Sequence, residues 1–159
     1  MTGSPGSTSP FIASGSTSAI SFDPTKGGFI SSRGDFLNFM YNMARNNPNE
    51  VAAFQVSKGN CTEYFIQPWD QNLPNRSHNY FDNIPDYTRG DIIAEYHTHP
   101  NSSPPGIFDA QLSCDHGIPV YSMGANGNMW CVSYCLGCIP PTGLIPQGYK
   151  EAIYGNRIW

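Results

Sequence analysis

The chain has 159 residues, room for one domain with a core of its own, and its 8 basic against 12 acidic side chains leave a net charge of −4. That balance speaks against a broad phosphate-binding surface, so nucleic acid is not expected as a partner. No apolar run approaches the roughly 20 residues of a membrane span, so no membrane partner is expected either.

The first 30 residues are rich in Ser, Thr, Gly and Pro, with scattered apolar positions such as Phe11, Ile12, Ile20 and Phe22. They read as a flexible leader, with one short strand expected near Ala19 to Phe22. Met1 to Ser9 lacks the basic and apolar regions of a secretory signal, which points to the cytoplasm unless the chain is part of a longer secreted protein. From Ser32 the pattern changes. Phe36, Phe39, Met40 and Met43 recur at helical spacing, Asp35 suits a helix N-terminus, and Asn46-Asn47-Pro48 ends the segment. Val51 to Val56 reads as a buried strand, Lys58-Gly59-Asn60 as a turn, and Thr62 to Gln67 as the hairpin partner.

Residues 68–90 carry Pro, Asn, Asp and aromatics without periodicity and read as a long loop, with a helical turn near Tyr80. Asp91 to His97 is the next strand, Phe108 to His116 a helix, Ile118 to Met123 a strand, Gly124 to Gly127 a turn, and Asn128 to Tyr134 a last strand. A domain over residues 31–138 follows, with an extension over 139–159 packed on it. The expected class is α/β (α+β), a curved mixed β-sheet sandwiched by helices. The odd count of five cysteines favours reduced thiols, and Cys131, Cys135 and Cys138 read as small residues on the last strand and its exit rather than as a metal knuckle.

The chemistry concentrates in Glu95-Tyr96-His97-Thr98-His99-Pro100 and in Asp109, ten residues after His99. Alternate residues on a strand share a face, so Glu95, His97 and His99 point the same way, and Pro100 ends the strand. Two histidines and a carboxylate can fill three corners of a zinc tetrahedron and leave the fourth for water, which distinguishes catalytic from structural sites. Asp109 also suits the start of a helix. Asp115 and His116 are rival ligands, on another helix face and at the helix exit. Hydrolysis needs a proton carrier as well. Glu95 lies too near the ligands for that role and reads as a support for them. Glu50 opens the first long strand, which could lie beside the strand of the histidines.

Pro48 to Phe54 after a helix, then His97-Thr98-His99-Pro100, Asp109 and Gly117 to Tyr121, resembles the JAMM (JAB/MPN) metalloprotease family, and most of all its small bacterial and phage-tail members. The resemblance spans roughly residues 33–134. It implies a cytidine-deaminase-like α/β sandwich, one Zn2+ per chain held by His97, His99 and Asp109, and Glu50 as general acid/base. It also implies an amide or isopeptide substrate, in a peptide or a ubiquitin-like protein. Two positions depart from the family pattern. Gly106 stands where the family has a serine that helps stabilise the oxyanion, with Ser102 and Ser103 as possible substitutes, and Ala53 stands in place of a glycine. Trp69, Tyr80, Phe81 and Tyr87 are the candidate substrate rim. The alternatives are a metal-binding module with little or no activity, and a toxin-like domain at the end of a longer secreted chain.

Overall fold

In the computed structural model the described residues are 22–23, 25–69 and 81–132. Ser32 starts helix α1 (Arg33–Asn46) by accepting a hydrogen bond from the Asp35 amide at 3.3 Å, which satisfies one of the free N–H groups of the first turn. Phe36, Phe39, Met40 and Ala44 recur every three or four residues and form its buried stripe. The helix stops at Asn47, whose extended backbone is the conformation that Pro48 imposes on its predecessor.

The strands are β1 (Gly28–Ile30), β2 (Ala52–Lys58), β3 (Cys61–Ile66), β4 (Ile92–His99), β5 (Val120–Gly124) and β6 (Met129–Val132). They form one six-stranded mixed sheet in the order β1-β3-β2-β4-β5-β6. Among these strands only β4 and β5 pair in parallel, and helix α2 (Ile107–His116) joins them. Gly117 closes α2 in the left-handed conformation (φ 65°), where a side chain would strain the backbone. Among the described residues the fold is therefore mixed α/β, with two α-helices packed on one sheet. No described helix is long and apolar enough to cross a membrane.

The two faces of the sheet carry separate cores. On the α1 side, Phe36 stacks on Tyr64 at 4.2 Å and meets Tyr96 edge-on at 4.9 Å, with Ile30, Ala53, Ile66, Met123 and Met129 packed around them. On the other side, Phe54, Val56, Phe65, Ile92 and Ile118 pack with Phe81 and Ile84 from the loop before β4. That face is apolar only over part of its length.

Several details differ from the sequence reading. Gly28–Ile30, at the end of the segment read as leader, is the edge strand β1; it pairs with β3, and Ile30 is fully buried. Three residues are too few for a periodic signal, and pairing alone defines the strand. Phe22 is not in a strand but packs edge-on against Phe39 at 5.4 Å; the rest of the expected strand lies outside the described residues. β4 runs two residues further than expected, because His97, Thr98 and His99 stay paired with Ser122, Met123 and Gly124 of β5. Cys61 carries a free thiol, but Cys114 is disulfide-bonded, which corrects the expectation of reduced thiols throughout. Cys135, Cys138, the helical turn near Tyr80 and the extension over 139–159 lie outside the described residues.

Candidate metal centre

Parallel pairing of β4 and β5 forces the chain to cross back from the end of one strand to the start of the other. The crossover begins at the C-terminal end of β4, so the first turn of α2 comes to lie beside His99. That geometry brings Asp109 back to the histidines. His97 Nε2 lies 3.1 Å from His99 Nε2 and 3.1 Å from Asp109 Oδ1, and His99 Nε2 lies 3.7 Å from Asp109 Oδ2. One ligating atom from each residue falls within 4.8 Å of the others. Bonds of 2.0–2.1 Å at tetrahedral angles would separate their donor atoms by about 3.3–3.4 Å. The three residues could hold a metal ion with little rearrangement.

Each donor is oriented from behind. His97 Nδ1 contacts Glu95 Oε1 at 3.0 Å, and His99 Nδ1 contacts the Ser103 carbonyl at 2.7 Å. Asp109 Oδ2 accepts from the Gly106 amide at 2.8 Å, so the carboxylate caps α2 and faces the histidines at once. Helix capping and a place beside the two histidines, weighed against each other in the sequence, coexist in this residue. The Ser103 carbonyl is set by a tight loop in which Asn101 Oδ1 accepts from the Ser103 amide at 3.0 Å and Ser102 adopts φ 61°. Gly124, opposite His99 on β5, makes room for that loop: a Cβ there would come within 3.2 Å of the Ser102 backbone.

Glu50 enters through β2. Ala52 pairs with His97, and Thr98 extends the register by one residue: its amide donates to the Val51 carbonyl at 3.0 Å, and its Oγ1 accepts from the Val51 amide at 2.9 Å. Continued by one more residue, that register would set Glu50 opposite His99, and Glu50 does feel the charges of His97, Asp109 and Glu95. Thr98, the middle residue of His-Thr-His, thus points away from its neighbours and fastens the segment that carries Glu50.

The electrostatics follow from burial and proximity. Burial raises the Glu50 carboxyl to about 7; His97 opposes this, and the charges of Asp109 and Glu95 add to it. Burial also raises Glu95, which is fully buried. For Asp109 burial acts upward too, but the His97 charge and hydrogen bond outweigh it and bring the group down to about 2. Burial pushes His97 down, whereas Asp109 and Glu95 together hold it well above its usual value. His99 is lowered by burial and by His97. Glu95 Oε2, and Ser122 Oγ opposite His97, are buried without a hydrogen-bond partner. So much uncompensated polarity suits a site that takes a cation.

Other sequence candidates fall elsewhere. Trp69 packs against the α1-side core, on the opposite side of the sheet from the histidines, which corrects its placement on a substrate rim. Phe81 is buried in the second core, where its ring stacks on His116 at 3.8 Å, so it anchors the loop rather than lining a rim. Tyr87 does similar work by donating to Glu63 Oε2 at 2.8 Å. Tyr80 lies outside the described residues. His116 and Asp115 line a small cavity with Phe81, Arg89, Ile92 and Ile118, apart from the metal centre. Ser102 Oγ accepts from the Asn126 amide, and Ser103 Oγ sits 3.3 Å from His99 Nδ1, behind the ring. Neither serine takes the place of a hydroxyl at Gly106. One exposed feature escaped the sequence reading: Phe108, beside Asp109, leaves 81% of its surface open to solvent. An apolar residue next to a candidate ligand was the available signal.

No family model matches the chain, no curated protein matches it, and no solved structure matches its fold.

Proposed function

We propose that the chain is a zinc-dependent hydrolase of amide or isopeptide bonds, with the architecture and site logic of the JAMM (JAB/MPN) metalloproteases. The observation that carries this reading is the convergence of His97, His99 and Asp109 at the end of β4, with Glu50 near enough to feel the charges of His97 and Asp109. Nitrogen and carboxylate donors of this kind suit zinc among the divalent ions. When bound, zinc supplies Lewis-acid polarisation of a carbonyl and acidification of water.

Glu50 is the proton carrier. From its place beside the centre its carboxylate would take a proton from water as water attacks the scissile carbonyl carbon. The same proton goes to the leaving nitrogen as the C–N bond breaks, which yields a carboxylic acid and an amine. Glu95 and the Ser103 carbonyl hold the imidazole rings, and Asp109 is fixed by the Gly106 amide. Phe108 offers apolar surface for a substrate side chain next to the centre.

Gly106 supports a second reading, a centre that binds metal but turns over slowly. It is the N-cap of α2 and carries no hydroxyl at the position where the family supplies one. Zinc content and cleavage of peptide and isopeptide-linked substrates separate the two readings. The hydrolase requires one zinc per chain in the wild type, loss of zinc and cleavage in His97→Ala, and loss of cleavage alone in Glu50→Gln. A wild type that takes up no zinc when it is supplied removes both readings.

A further inference from the structure

We infer that Glu95 is a positioning residue of the metal centre: it fixes His97 with Nε2 toward the ion and strengthens that nitrogen as a donor. This rests on the metal-centre reading and adds a residue that touches neither ion nor substrate.

Three observations carry it. Glu95 Oε1 lies 3.0 Å from His97 Nδ1, on the ring edge opposite the nitrogen that faces His99 and Asp109. A carboxylate there accepts the Nδ1 proton, leaves the Nε2 lone pair free and makes it more basic. Second, the residue is costly as a purely structural choice. It is fully buried, its strand neighbours in register are Phe54 and Val120, and Oε2 has no hydrogen-bond partner. A buried carboxylate is generally no more stabilising than a packed apolar side chain of similar volume, so packing gives no reason for Glu at this site. Third, the two histidines are supported unequally. His99 is backed by a neutral carbonyl from Ser103, whereas His97 is backed by a carboxylate. With Glu95 behind it, His97 becomes the stronger nitrogen donor of the two.

The test uses the full chain with zinc and, separately, cobalt as probes. Glu95→Gln keeps the size and can still accept from Nδ1, but removes the charge; Glu95→Ala removes both. Zinc affinity measured by chelator competition should fall about tenfold in Glu95→Gln and up to about 100-fold in Glu95→Ala, with one ion per chain still bound at saturation. The visible absorption of the cobalt-loaded chain should shift in Glu95→Gln, because the donor strength of His97 changes. The metal-free Glu95→Gln chain should unfold at or above the wild-type temperature. Wild-type affinity, within about threefold, together with an unshifted cobalt spectrum in folded Glu95→Gln overturns the inference and leaves the metal centre standing. If Glu95→Ala does not fold, Glu95→Gln decides alone. A wild type that binds neither ion, or His97→Ala that binds as well as wild type, removes the centre itself and this role with it.

Discussion

The two faces of the sheet are built from the same six strands and serve opposite ends. On the α1 face most inward positions are apolar or aromatic, and polar atoms among them are tied up locally: Tyr96 Oη donates to Gln55 Oε1 at 3.2 Å, Arg33 donates to Tyr64 Oη and Tyr96 Oη, and Thr98 Oγ1 accepts from the Val51 amide. On the α2 face, the apolar cluster around Phe54 and Phe81 gives way toward the C-terminal end of β4 to two histidines and three carboxylates. The first face stabilises the molecule; the second sacrifices stability at one end to hold polar groups close together. A site that gathers charge out of water needs a rigid layer behind it, and α1 with its aromatic stack is that layer.

Mutations that tell the faces apart should differ in what they damage. The largest effect belongs to the α1 face. Phe36→Ala opens a cavity beneath Tyr64 and Tyr96 and should cost about 3–5 kcal/mol in denaturant unfolding. Zinc bound per folded chain should not change; if it does, the faces are not separable.

Thr98→Val tests the joint between them. It leaves the Val51 amide buried without its acceptor and should cost about 1–3 kcal/mol. Zinc should still bind, while cleavage falls because Glu50 is no longer fastened. Full cleavage by a destabilised Thr98→Val would show that the clamp does not position Glu50.

Glu50→Gln should do the reverse of a core mutation. The Glu50 carboxyl has its folded value raised to about 7 from 4.5, so the fold prefers its neutral form. Stability is therefore lost as pH rises from about 4.5 through about 7, and the amide avoids that loss. Metal-free Glu50→Gln should gain about 1–2 kcal/mol at pH 8, after allowance for solvent screening, and nothing at pH 4. Cleavage should fall by about 10²–10⁴ at the same time. Equal stability of the two chains at pH 8 would mean that Glu50 is not buried against the centre.

The smallest structural effect is expected at Gly106. Its φ of −102° suits any residue, and a Cβ there meets nothing within 4 Å. Gly106→Ser should stabilise α2 by a few tenths of a kcal/mol as a better N-cap, about the limit of thermal measurement. Turnover should nonetheless rise at least about tenfold if the missing hydroxyl limits it. Unchanged turnover would place the limit elsewhere in the site.

How much of this was legible in the chain depends on the range of the signal. Alternation on a strand put Glu95, His97 and His99 on one face, and the apolar spacing of Phe36, Phe39 and Met40 drew the helix, since both periodicities are local. The hairpin of β2 and β3 was marked by Lys58-Gly59-Asn60. β1 was missed because three residues have no period of their own. Trp69 was assigned to the wrong side because nothing in an irregular segment states which face of a sheet it will meet. Cys114 was read as reduced from a count, and a count carries no distances.

Sequence alone narrowed the candidate donors to His97, His99 and Asp109, with Asp115 and His116 as rivals. Histidines at i and i+2 before a proline, and an aspartate within one short loop and a helical turn, restrict where a metal ion could sit. Only the tertiary structure decided how the donors meet. Parallel pairing of β4 with β5 sent α2 back over the end of β4 and returned Asp109 to the histidines. Antiparallel pairing of β2 with β4, locked at Thr98, brought Glu50 within reach of their charges. Strand pairing joins residues far apart in the chain, and its register depends on both partners, so neither segment carries that information by itself.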